Sequence, residues 1–243
     1  MTTLLPIDDL DTFVSTRASL HRVAEHVVAK ARFVHDREIR LTAYPGGFAT
    51  PMLAGERRVH IDGDEIVVDE HGASRRAGLT TIAAAAVFVR IEPGFPHEVY
   101  EPATTFDPEK PLDLDRGAAE ALAAWYGFTA EVLDQFAGEI PLANPSTRIL
   151  WPEHFDQAFY TEDADEGRRA NYGASPGDEG HPEPYLYIGP WGSTPTNAFW
   201  NAEHFNGAVL SLSELVDVAD PASAALQFLR AGRAFVASQE DPT

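Results

Sequence analysis

The sequence contains no cysteine, which excludes a disulfide framework, a thiol nucleophile, thiolate-bound zinc and iron–sulfur ligation. Long uncharged apolar runs are missing too, and mean hydropathy is −0.22, so no membrane span is expected. The opening residues, MTTLLPIDDLD, lack the basic stretch that begins a secretory signal. Lysine is scarce: only Lys30 and Lys110 among 18 basic residues. Against 38 acidic side chains the net charge is −20, which argues against nucleic acid or a membrane surface as partner. Neither G-x-G-x-x-G nor G-x-x-x-x-G-K-[ST] occurs, so no nucleotide-phosphate cradle is signalled. H-x-H and H-E-x-x-H are absent as well, which removes the strongest zinc signatures. G-x-S-x-G occurs once, at Gly173-Ala-Ser175-Pro-Gly177, but Ser175 there lacks the strand-to-helix elbow of a serine hydrolase. A cytoplasmic protein is the expectation.

What is present suits a packed globular chain. Apolar residues make up 44% of 243 positions, with four Trp, and a chain of this length buries roughly 70% of its extended surface on folding. Charge is uneven: residues 1–90 hold 11 basic and 12 acidic side chains, residues 91–243 hold 7 and 26. A solvated acidic face explains such an excess, and it also repels anionic ligands and attracts cations.

Apolar positions at Leu10, Phe13, Leu20, Ala24, Val27 and Ala31 recur at threes and fours and predict a long N-terminal helix. His21 and His26 read as surface or boundary residues of it. The period then falls to two at Ile39, Leu41 and Ala43, and Asp62-Gly63 between Val59–Ile61 and Ile66–Val68 predicts a hairpin. His60 reads as an exposed strand residue. Residues 79–89 read as helix. Residues 91–115 carry five prolines and no periodicity, which suggests a loop joining halves 1–90 and 116–243 of one compact chain. Asp115 can cap a helix that breaks at Gly127 and restarts at Thr129, and Asp220-Pro221 starts a last helix in which Gly232 lies on the apolar stripe. Strands grouped between helices favour an α+β fold, antiparallel sheets flanked by helices in two interlocked halves.

Aromatic and polar residues concentrate in four motifs over 148–208: W-P-E-H-F-D (151–156), N-Y-G-A-S-P-G-D (171–178), E-P-Y-L-Y-I-G-P-W (183–191) and F-W-N (199–201). In this order they resemble an uncharacterised actinobacterial protein family, and Leu20-His21-x-Val-Ala24 with Pro45-Gly-Gly-Phe-Ala49 resembles that family's first half. A broader domain family of unknown function, with W-P-x-x-F-D and P-Y-x-Y, is more distantly similar. The resemblance implies no activity, cofactor or catalytic residue. It implies a shorter apolar continuation after F-W-N-A, where this chain has Glu203-His204-Phe205-Asn206.

Read as strands, residues 154–160 place His154, Asp156, Ala158 and Tyr160 on one face, and 183–191 place Glu183, Tyr185, Tyr187 and Trp191 together. Phe155, Phe159, Leu186 and Ile188 face the core. Asn171-Tyr-Gly and Ser175-Pro-Gly-Asp178 read as turns. Three functions fit. One is a site for a small neutral or cationic organic ligand, walled by Tyr185, Tyr187, Trp191 and Trp200 and oriented by His154, Asp156 and Glu183. Another is a metal-assisted or acid–base enzyme using His154/Asp156 and His181/Glu183, with Glu203-His204 in reserve. The third is an ordinary amphipathic sheet in a structural or interaction protein with no small-molecule site; exposed aromatics would also permit a homodimer. His154, Asp156, Glu183, Tyr185 and Tyr187 are expected to converge on one concavity.

Overall fold

The computed structural model describes residues 2–163, 168–192, 194 and 197–237. Two five-stranded antiparallel sheets accompanied by helices make this an α+β fold. The chain divides into two compact units: an N-terminal unit, Ile7–Gly127 with Ile149–Asp156, and a C-terminal unit, Met1–Pro6, Phe128–Arg148 and Gln157–Thr243. Residues 91–115, read above as a joint, lie wholly inside the N-terminal unit.

The N-terminal unit opens with α1 (Leu10–Val23), started by Asp9, whose carboxylate accepts the Asp11 and Thr12 amides. Helix continues through a π turn, Ala24–Ala29, into α2 (Lys30–Asp36). Every residue of the π turn is buried, with Glu25 and His26 at 0% and 1% exposure, because residues 94–104 cover the side of the helix that carries them. His26 is therefore not a surface residue, and His21 is only partly exposed.

Strands β1 (Thr42–Tyr44), β2 (Gly47–Ala49), β3 (Arg58–Asp62), β4 (Glu65–Glu70) and β5 (Ala73–Gly78) pair in that order. The Asp62-Gly63 hairpin forms with Asp62 opposite Glu65. Strand β5, Ala-Ser-Arg-Arg-Ala-Gly, has no apolar alternation to announce it; it is an edge strand, which presents its outer side to solvent and can be polar. His60 is 8% exposed, with Nε2 3.3 Å from Asp69 Oδ2 and its ring 4.8 Å from Tyr44. It is half of a polar pair, not an isolated surface histidine. The unit also contains α3 (Ile82–Val89), the first half of α4 (Arg116–Glu139) and β6 (Ile149–Trp151). Asp115 caps α4 through the Ala118 amide, 2.9 Å away, and the helix runs through Gly127 without the expected break.

In the C-terminal unit, β7 (Asp156–Tyr160, in this unit from Gln157 on), β8 (Ala170–Ser175), β9 (Tyr185–Pro190) and β10 (Ala208–Ser211) pair antiparallel in the order β10-β9-β8-β7. Asn171-Tyr-Gly is strand rather than turn, with Tyr172 opposite Ile188. Tyr172 has no exposure, and its ring lies 5.5 Å from Phe159 and 5.1 Å from Phe136. Burial pushes its phenol up to about 12. Phe159, Leu186 and Ile188 are buried here, as Phe155 is in the other unit.

Helices α5 (Leu212–Val216) and α6 (Pro221–Ala237) follow. Gly232 explains why a glycine sits on the buried stripe of α6: a Cβ there would overlap Ile188 Cδ1 on β9 and crowd Phe199. Helix propensity alone favours Ala over Gly by about 1 kcal/mol. Overpacking reverses the sign, so Gly232→Ala is expected to destabilise by about 1–3 kcal/mol. Urea melts showing a gain in stability would mean that α6 moves freely off the sheet.

Candidate functional site

The expected site residues divide between the units. His154 and Asp156 belong to the N-terminal unit; His181, Glu183, Tyr185, Tyr187, Trp191 and Trp200 belong to the C-terminal one.

Within the C-terminal unit a cavity of about 230 Å³ lies beside β10, bordered by Asp178, His181, Tyr185, Glu203, His204 and Phe205. Its floor is organised by Asp178. The turn predicted at Ser175-Pro-Gly-Asp178 places this carboxylate where Oδ1 accepts the Gly180 and His181 amides (2.7 and 2.8 Å) and Oδ2 accepts the Tyr185 hydroxyl at 2.5 Å. A phenol donating to a carboxylate is enriched in electron density, which strengthens the negative face of its ring. The His181 ring meets Tyr185 edge-on at 4.8 Å, and Tyr187 carries the aromatic surface on to Phe205 at 6.1 Å. Gly180 makes room for the His204 ring, which a Cβ there would strike.

The other expected walls and ligands are elsewhere in this unit. Glu183 precedes β9 instead of lying on it, and its carboxylate accepts the Ser213 amide and hydroxyl, each at 3.1 Å. Trp191 also falls just outside the strand, 54% exposed, with Nε1 donating to Asn171 Oδ1. Trp200 packs with Phe199 and Phe235, away from the cavity lining. Sequence reasoning passed over Asp178, Phe205 and Ser211. Ser211-x-x-Glu214 was readable as a capping box, and it forms one at the start of α5.

Ser211 Oγ lies 3.0 Å from His181 Nε2, which invites comparison with an activated serine. The geometry does not support one. Glu183 approaches the same nitrogen, at 3.8 Å, whereas an orienting acid belongs on the other. The Leu212 and Ser213 amides that could hold an oxyanion already bond Pro184 and Glu183. Glu203 and His204 differ from their neighbours: neither makes a hydrogen bond or ion pair with any described residue.

In the N-terminal unit the motif W-P-E-H-F-D is a tight turn. Phe155 adopts φ 54° and its amide reaches back to the Trp151 carbonyl at 2.7 Å. That left-handed residue ends the extended run, so His154 and Asp156 do not share a strand face as expected. His154 is exposed, near Tyr100, and Asp156 begins β7. The turn is gripped from both sides. His21 stacks on Phe155 at 4.9 Å with planes 5° apart, and its Nε2 contacts the Pro152 carbonyl at 2.8 Å. Tyr126 donates to the Phe155 carbonyl at 2.5 Å, and Phe48 meets Phe155 edge-on. The two motif regions of the resemblance, Leu20–Ala24 and 151–156, thus touch.

This grip buries ionisable groups. Desolvation lowers His21 to about 4, against a Pro152 contact that raises it. Burial lifts Glu153 above the ordinary carboxylate range, and its Oε2 is buried with no hydrogen-bond partner among the described residues. Burial also lifts Glu25 and, far above its usual value, the Tyr126 phenol. Among the described residues no group of three or more His, Asp or Glu is placed to hold a metal ion, and no helix is long and apolar enough to cross a membrane. Comparison with protein-family models, curated proteins and solved structures returns no match.

Proposed function

We propose that the cavity beside β10 binds a small organic cation, an alkylammonium or guanidinium group. The observation that carries this reading is that the aromatic rings of Tyr185 and Phe205 border the same cavity as Glu203, a carboxylate with no hydrogen bond or ion pair among the described residues. Cations are held by aromatic faces and by carboxylates together, more strongly where water is excluded. Among the described residues no Lys or Arg borders the cavity, and the acidic excess of residues 91–243 favours approach of positive charge. Its volume is below the roughly 300–1,000 Å³ of drug-sized sites, which fits a ligand of a few heavy atoms.

Calorimetric titration tests this with tetramethylammonium and methylguanidinium chlorides, and tert-butanol as a neutral shape match. Saturable binding of a cation is expected, weakened at least tenfold by Glu203→Gln. Equal binding of tert-butanol would shift the reading to a neutral ligand. No binding by any of the three would end it.

A second reading, acid–base chemistry at the turn 152–155, rests on the buried, unpartnered Oε2 of Glu153 held by a left-handed turn. Buried carboxyls with raised pKa serve as proton donors and acceptors near neutrality. An NMR titration of the Glu153 carboxyl carbon with an ordinary midpoint would remove this reading.

A further inference from the structure

Residues 94–115 contain no helix or strand, yet they are fastened in order along the N-terminal helix. The Asp115 amide donates to Thr16 Oγ1 and the Asp113 amide to Ser19 Oγ, both at 2.9 Å. Arg22 Nη2 donates to the Asp107 carbonyl at 2.6 Å. The Glu25 carboxylate accepts the Ala103 and Thr104 amides at 2.7 and 2.9 Å, together with the Thr104 hydroxyl. The Gly94 amide closes the row on the His26 carbonyl at 3.0 Å. Positions 16, 19, 22 and 25 are successive i, i+3 neighbours, a row that winds around the helix. The far side of the segment is held near the start of α3, by Ala83 to Pro108 and Leu112 to Thr80.

His26 sits beneath this strap, 1% exposed, with the Phe106 ring 5.0 Å away. The single hydroxyl hydrogen of Thr104 goes to Glu25, so the 3.0 Å contact between Thr104 Oγ1 and His26 Nε2 puts the ring hydrogen on Nε2 and the lone pair on Nδ1. Nδ1 is buried and has no hydrogen-bond partner among the described residues. A proton added there meets no acceptor, and a stranded, desolvated N–H⁺ is costly.

We propose that the 94–115 segment is an acid-released latch, opened by protonation of His26. The charged and titratable groups near His26 are Glu25 (4.0 Å), Arg22 and His21 on the helix and His97 on the strap. Glu153 acts on Glu25, and α3, packed on the same π turn, brings no titratable side chain. Burial holds His26 down to about 4, against 6.5 once exposed. Moving from pH 7.5 to 5 therefore raises the open-to-closed ratio by about thirtyfold from this residue. Glu25 opposes it: its pKa is raised in the closed state, so its own protonation favours closure. Opening frees the Glu25 carboxylate and the Thr16 and Ser19 hydroxyls.

Hydrogen exchange read by mass spectrometry on the full chain, corrected for intrinsic rates, tests the latch. At pH 5 the amides of 94–115 are expected to lose protection about five- to thirtyfold relative to pH 7.5, while β3 and β4 keep theirs. His26→Gln, which retains a donor for Thr104, should abolish that pH dependence, and Glu25→Gln should bring it to the full thirtyfold. Loss of protection spread over the whole unit, or equal loss in His26→Gln, would overturn the proposal. Titration of His26 by NMR in the unaltered chain gives an independent check: a midpoint near 6.5 with the strap still protected also overturns it.

Discussion

Replacing Phe155 by Ala is expected to destabilise the N-terminal unit by about 3–5 kcal/mol, the range for removing a fully buried aromatic ring. Phe155 is 1% exposed and is the ring on which His21, Phe48 and Tyr126 meet. It pays for its left-handed φ of 54° through those contacts, since a bulky residue is disfavoured there. Ala loses the contacts and keeps the strain. Tyr126→Phe removes one hydroxyl and leaves the Phe155 carbonyl unsatisfied, a smaller loss of about 1–3 kcal/mol. Urea denaturation of both variants measures this; a change below about 1 kcal/mol for Phe155→Ala would show that the turn is not anchored by its aromatic ring.

The second large effect is acid lability. His21 is held neutral, down to about 4 from 6.5, so the folded state binds fewer protons than the unfolded chain. Its contribution is fully present above pH 6.5 and is lost as pH falls toward 4. Between pH 7.5 and 4.5 this amounts to about 2.5 kcal/mol. Glu25 and Glu153 act with the opposite sign, because their folded pKa values are raised. Comparing the parent with His21→Gln therefore isolates the histidine: the stability gap should shift by about 2.5 kcal/mol in favour of the variant as pH drops. Parallel pH profiles would place His21 in water.

Much of the fold was legible because it rests on periodicity. The hairpin at Asp62-Gly63, the cap at Asp115, the start of α6 at Asp220-Pro221 and the inward faces of Phe159, Leu186 and Ile188 all follow from alternation and turn chemistry. Three features did not follow. Residues 94–115 have no periodicity to show that they pack over the outer side of the N-terminal helix, so His26 read as outward. Phe155 in a left-handed conformation has no local signature, because Gly or Asn would be the expected residue there; the strand reading of 154–160 failed at that position. Edge strand β5 has no apolar face. The site was partly legible: Tyr185, His181 and the Glu203-His204 pair border one cavity, and Trp191, Trp200 and Glu183 have local structural roles. Asp178 was visible only as a turn residue, since nothing in its spacing shows that its carboxylate turns back onto Tyr185.

The most direct test of the cation-binding cavity is side-chain NMR during titration with methylguanidinium chloride at low and physiological salt. The account predicts saturable shifts confined to Tyr185, His204 and Phe205, lost in Glu203→Gln and retained in part at higher salt. Small, unsaturable shifts scattered over the acidic surface would contradict it.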